Sequence, residues 1–143
     1  MLIGVPKEIK NNEFRVGLSP DSVKILINEG HDLLIEANAG IGSSFTDEDY
    51  IKVGARITQS PEAIFQKSDL IIKVKEPQPI ENIQLRPDQI LFTYLHLASS
   101  KNLTMQLLES KCISIAYETI TSDNNDLPLL TPMSEIAGRL SVQ

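Results

Sequence analysis

Six short apolar runs, spaced by stretches of helical periodicity, constrain this chain more than any single residue does. The runs are LIGV from Leu2, DLLIEA from Asp32, RIT from Arg56, DLIIKVK from Asp69, QILFTYL from Gln89 and CISIAYE from Cys112. Their length and composition are those of β-strands, RIT being the shortest. Between them the pattern turns helical. In SPDSVKILINEG, Ser19 is a capping residue and Pro20 fits the first helical position. Val23, Leu26 and Ile27 share one face, and Gly30 supplies a left-handed end. Thr46 opens a second helix, with Asp47, Glu48 and Asp49 in its positive first turn and Gly54 at its end. SPEAIFQKS repeats the Ser-Pro start, and SSKNLTMQLLESK follows the fifth run. Strands that alternate with helices imply βαβ units. The fold class is therefore α/β: an open, mainly parallel sheet with helices on both faces. The longest connection within it is the proline-bearing stretch 76–88.

Composition narrows the function classes. Of 143 residues, 41% are hydrophobic, enough for a sizeable core. A formal charge of −6 argues against a nucleic-acid or anionic-membrane partner, but leaves room for a local basic pocket that takes a small anion. The single cysteine, Cys112, excludes an intrachain disulfide framework and fits a reducing compartment; within CISIAY it is expected to be an inert, buried thiol. No run approaches the length of a membrane span, and MLIGVPKEIK lacks a signal-peptide core. The expectation is a cytoplasmic domain.

The polar stretch TSDNNDLP reads as a linker. In the following LLTPMSEIAGRLSVQ, Thr131 is placed to cap, Pro132 to take the first helical position, and Met133, Ile136, Ala137 and Leu140 to line one face. The helical pattern reaches Gln143 without a stop signal. The expected organisation is a domain over 1–128, then a linker and the start of an interdomain helix over 129–143, leading into a further domain.

Ligands of open parallel sheets bind beyond the carboxyl ends of the strands. Lys75, His96 and Glu118 each end an apolar run, and Arg15 lies in the loop after the first. An arginine fork and a lysine point charge together suit a carboxylate, and a histidine beside them suits proton transfer near neutral pH. Taken singly, each has an ordinary reading: a structural histidine, a solvated strand end, a surface salt bridge, a strand-end charge. Lys73 shares the side-chain parity of Lys75, so position alone does not select between them. His31, in a turn, is expected to be exposed. GIGSSF, residues 40–45, mimics half of a dinucleotide loop, but Phe45 stands where the third glycine belongs and no acidic residue follows at the required distance. The chain has no Walker loop, no cluster of metal-ligand spacing and no nucleophile elbow.

GVPKEIKNNEFRVGLSP, KVKEPQP, ILFTYLHLA and LLTPMSEIAGRLSVQ, in this order and over essentially the whole chain, resemble the amino-terminal part of bacterial alanine dehydrogenase. The amino-terminal domain of nicotinamide nucleotide transhydrogenase shares the opening motif, but KVKEPQP with FTYLHLA is nearer to alanine dehydrogenase. The resemblance implies a flavodoxin-like, incomplete substrate domain of an NAD-dependent enzyme that interconverts L-alanine with pyruvate and ammonium. It implies that Arg15 and Lys75 bind the substrate carboxylate and carbonyl, and that His96 is the acid/base group. Tyr94 and Glu118 would shape the pocket, and Met133 and Ser134 would face the nicotinamide from the hinge. NAD would be bound mainly by a separate glycine-rich domain, the intact enzyme would be a homohexamer, and this chain alone would be inactive. Two alternatives stand beside it: the corresponding part of a transhydrogenase alpha subunit, and a stand-alone flavodoxin-like module for a small anion.

Overall fold

The computed structural model describes residues 1–142; Gln143, the last position of the expected final helix, lies outside the described residues. Six strands form one sheet: β1 (Leu2–Val5), β2 (Asp32–Glu36), β3 (Arg56–Thr58), β4 (Leu70–Ile72), β5 (Ile90–Thr93) and β6 (Ile113–Ala116). All five pairings are parallel, in the order β3-β2-β1-β4-β5-β6. With the edge strand β3 set aside, the order is the 2-1-3-4-5 of flavodoxin-like sheets; β3 extends it by one strand beyond β2. The winding reverses between β1 and β4, which opens a crevice at their carboxyl ends.

The helices are α1 (Pro20–Asn28), α2 (Asp47–Lys52), α3 (Pro61–Lys67), α4 (Pro79–Asn82), α5 (Lys101–Ser110) and α6 (Thr131–Leu140). Ser19, Thr46, Ser60 and Ser100 cap α1, α2, α3 and α5 through their hydroxyls, and Thr46 with Asp49 closes a full capping box. Gly30 and Gly54 adopt the positive φ expected of them. One face of the sheet packs Ile3, Val5, Leu33, Ile35 and Ile72 against Val23 of α1 and Tyr50 of α2. Burial pushes the Tyr50 hydroxyl up to about 12, and it donates to the Leu18 carbonyl at 2.8 Å. The other face packs Leu34, Ile71 and Leu91 against Ile64 and Phe65 of α3 and Leu103 and Leu107 of α5.

Five expectations need correction. β4 ends at Ile72 rather than Lys75. Its pairing with β1 stops at Gly4↔Ile71, because β1 ends at Val5 and Pro6 carries no N–H to continue the ladder. On the β5 side contact continues with a slip of one residue, Lys73 N–H on the Phe92 carbonyl at 3.1 Å and Tyr94 N–H on that of Val74, rather than Lys73, at 3.3 Å. The long connection contains α4, which a proline and a Gln78–Glu81 capping box make possible in only four residues. Thr131 is the first residue of α6, not its cap; Leu130 holds that place without a side-chain bond. Cys112 and His31 are both half-buried, Cys112 because only one face of the β6 edge is covered.

The charge hidden in this scaffold is concentrated at Lys73, which is fully buried between two carboxylates, Glu8 at 3.2 Å and Glu81 at 2.8 Å. The fold therefore answers the ambiguity between the two lysines. Lys73 is neutralised inside, whereas Lys75 reaches a cavity.

Candidate active site

At the carboxyl edge of β4, β5 and β6 a cavity of about 280 Å³ is lined by Arg15, Lys75, Tyr94, His96, Glu118, Leu130 and Met133. Five of the residues singled out from the sequence for substrate binding and catalysis thus meet in one place, as does Met133. Ser134 is exposed on α6 and does not line the cavity. Arg15 comes from the loop between β1 and α1. That loop lies tightly on the end of β4, since a Cβ at Gly17 would stand 2.7 Å from the Ile72 carbonyl oxygen. Only glycine lets the Arg15 backbone approach so closely.

Arg15 and His96 are held by carboxylates, Glu13 and Glu118, and the Lys75 backbone by the Thr93 hydroxyl; of these three, only Glu118 was singled out from the sequence. Glu13 accepts the Arg15 backbone N–H at 2.9 Å, its Nε–H at 2.8 Å and an Nη2–H at 2.6 Å. These bonds to Arg15 hold the Glu13 carboxyl well below its ordinary range, at about 2. In return they raise Arg15. The fork leaves Nη1, which has Met133 Sδ at 3.8 Å, as the edge turned toward α6. His96 sits in the left-handed region at φ 48°, a conformation uncommon for a residue with a side chain. Glu118 holds it there, accepting the His96 N–H at 2.6 Å and the Leu95 N–H at 3.2 Å. So Glu118 acts on the histidine loop through the backbone while also lining the cavity. The Thr93 hydroxyl donates to the Lys75 carbonyl at 2.9 Å.

Tyr94 spans two environments. Its ring meets Tyr117 edge-on at 4.9 Å, and Tyr117 meets Phe92 in the same way at 4.3 Å. Its hydroxyl donates to the Leu129 carbonyl, tying the cavity to the segment that enters α6. Burial raises the Tyr117 hydroxyl strongly, so it stays a neutral member of this stack. Leu130 was not anticipated, and no periodic signal marks it, because it precedes the helix.

A wider hollow of about 490 Å³ lies alongside, between the β1 and β2 loops, lined by Lys7, Glu8, Glu13 and Arg15 among others. It has neither histidine nor Lys75, and its acids match its bases. Residues 40–45 pack closely at both glycines. A Cβ at Gly42 would lie 2.3 Å from the Phe14 carbonyl oxygen, and one at Gly40 2.8 Å from Phe45 and Tyr50. Ile41 and Gly42 line the wider hollow. Among the described residues, no group of three or more metal-ligating side chains is gathered, and no helix is long and apolar enough to cross a membrane.

The family described as "Alanine dehydrogenase/PNT, N-terminal domain" matches residues 4–137. Alanine dehydrogenase of Staphylococcus epidermidis is 54% identical over all 143 residues, which span 38% of its length. That of Methanococcus maripaludis is 53% identical over the same residues and the same share of its length. A solved L-alanine dehydrogenase structure superimposes with a TM-score of 0.93 at 55% identity, covering 100% of this chain and 39% of that one. The transhydrogenase from Sinorhizobium meliloti is more distant, with a TM-score of 0.78 and 29% identity over 84% of this chain and 36% of its own. With the fold, the family match and the identities in agreement, this chain belongs to the alanine dehydrogenase/PNT amino-terminal domain family.

Proposed function

We propose that this chain is the substrate-binding part of an NAD-dependent L-alanine dehydrogenase, which converts L-alanine, NAD+ and water to pyruvate, ammonium, NADH and a proton. The observation that carries it is the meeting of Arg15, Lys75, Tyr94 and His96 around one cavity of about 280 Å³, in a chain 54% identical to an alanine dehydrogenase. Arg15, oriented by Glu13, offers its remaining guanidinium edge to the substrate carboxylate. Lys75 contributes a second positive charge, at the carbonyl oxygen. His96 moves protons on and off the substrate heteroatoms, from a loop whose conformation Glu118 sets. Clamping the carboxylate at one end and the carbonyl at the other leaves one orientation for the reacting carbon.

Hydride chemistry belongs to the nicotinamide cofactor. This reading assigns NAD binding mainly to a separate domain, with 1–128 as the substrate domain and 129–143 as linker and interdomain helix. Met133 lines the cavity on the α6 side and is the residue of this chain that faces the cofactor; Ser134 is assigned there by resemblance alone. The same reading takes the intact enzyme to be a cytoplasmic homohexamer. The transhydrogenase alternative is weaker because its structural relative is 29% rather than 55% identical.

The test is alanine-dependent NAD reduction by the full-length protein, with His96→Gln alongside. The variant should lose on the order of 10²–10⁴ in kcat, the usual share of an acid/base group, with its fold intact by circular dichroism. A full-length protein without activity on alanine or pyruvate, or a variant with undiminished kcat, sinks the assignment.

A further inference from the structure

Lys75 occupies an awkward place in the sheet. Backbone N–H groups along a strand point alternately to its two neighbours. Past Ile72 that pattern is lost: the N–H of Lys73 is still taken by Phe92 and the Val74 carbonyl by Tyr94, both on the β5 side, and the Val74 N–H is left without a strand partner. By this point β1 has already ended at Val5. A buried donor without an acceptor would destabilise this segment and leave it free to shift.

Glu8 fills the gap. Its carboxylate Oε1 accepts the Val74 N–H at 2.6 Å and the Lys75 N–H at 3.3 Å. The other oxygen, Oε2, faces Lys73 Nζ at 3.2 Å. Lys73 is itself tied to Glu81 Oε1 at 2.8 Å, and Glu81 Oε2 accepts the Gln78 N–H at 2.7 Å. Both oxygens of Glu8 are thus engaged, and at 7% exposure the group has little water to turn to. From the opposite side, the Thr93 hydroxyl holds the Lys75 carbonyl. The device is the one seen at the other basic groups: Glu118 on the N–H groups of Leu95 and His96, Glu13 on that of Arg15.

We infer that Glu8 is a positioning residue for Lys75: its buried carboxylate takes the place of the missing strand, fixes the backbone at Val74 and Lys75, and so sets where the ammonium stands in the cavity. Thr93 completes the clamp. The inference rests on the reading of Lys75 as a substrate-binding group, and it assigns the charge of Glu8 to Lys73 and its geometry to Lys75. A merely structural carboxylate would affect folding, not the coupling between position 8 and the substrate.

A double-mutant cycle on the full-length protein tests it. Pyruvate affinity is measured by calorimetry for wild type, Glu8→Gln, Lys75→Ala and the pair. Glu8→Gln should weaken pyruvate by about tenfold when Lys75 is present and by less than about twofold when it is absent. Equal factors in both backgrounds, or no loss in a folded Glu8→Gln protein, overturn the inference. Should Glu8→Gln not fold, Thr93→Val carries the same cycle, with Thr93→Ser expected to restore affinity and a failure to restore it counting against the clamp. Amide exchange over residues 73–76 is the independent arm. It should quicken in Glu8→Gln, and unchanged exchange overturns the clamp even in a protein that binds no pyruvate. A wild type that binds none overturns the substrate role of Lys75 itself.

Discussion

The two halves of the sheet are built differently. From β2 across β1 to β4, both faces are covered, and Val5, Ile35 and Ile71 are wholly buried. At β6 one face is covered by the α5 side, while on the other Ile113 is 49% and Ile115 37% exposed. Helices α1 and α2 lie over β2 and β3, away from β6. The candidate site straddles the junction. Arg15 and Lys75 stand over the covered half, which also holds the buried Glu8–Lys73–Glu81 cluster. Tyr94, His96 and Glu118 follow strands of the half-open part. The lesson is one of division: the cations proposed to hold the substrate stand over the half covered on both faces, and the proposed acid/base group follows the half with an exposed face.

The strongest way to break this comparison is at Lys73. Lys73→Met leaves Glu8 and Glu81 buried without a counter-ion, and should destabilise by about 3–5 kcal/mol. The exposed Lys52, 3.5 Å from Asp49, should be replaceable by Met with no measurable change in the urea midpoint. A similar response at the two lysines would mean that the cluster is not the keystone of the covered half.

Packing gives the next contrast. Leu91 is fully buried on the covered face of β5, so Leu91→Ala should cost about 2–5 kcal/mol. Ile115→Ala, on the bare face of β6, should stay within about 0.5 kcal/mol. Thermal unfolding of the two variants checks both. A large loss at Ile115 would show that its face is buried in solution.

Much of the scaffold was legible in advance, for reasons these same residues illustrate. The strands are short apolar runs bounded by caps such as Ser19, Thr46 and Ser60, and local signals of that kind survive any tertiary context. Arg15, Lys75, His96 and Glu118 could be grouped because a parallel sheet brings all strand ends to one edge; Tyr94 joined them by resemblance alone. What sequence did not offer was the clamps. Glu13 is two residues from Arg15, yet nothing in NNEFR marks it as the holder of the guanidinium. Glu8 and Thr93 act through backbone atoms of Val74 and Lys75, which only the fold brings close, and no spacing encodes such partners. Lys73 and Lys75 could not be told apart for the same reason. Their burial depends on where β1 stops and on α4, a helix too short to show periodicity.

The finest contrast is in pH response, between Glu13 beside the site and Glu36 at the end of β2. Hydrogen bonds from Arg15 lower Glu13 from 4.5 to about 2 in the folded protein. Its contribution to stability is therefore full above its unfolded pKa of 4.5 and is lost as pH falls toward 2. Glu36 is shifted the other way, chiefly by burial, although its carboxylate accepts the Lys7 N–H. It contributes stability in acid, where it is protonated, and loses that contribution as pH rises through its folded pKa. Denaturation of Glu13→Gln should match wild type at the acid end and fall behind it as pH climbs. Glu36→Gln should gain on wild type over the same climb, because an uncharged amide carries no desolvation penalty there. Two variants with the same sign would show that Glu13 is held by general burial rather than by Arg15, and the guanidinium would then be free to turn away from the cavity.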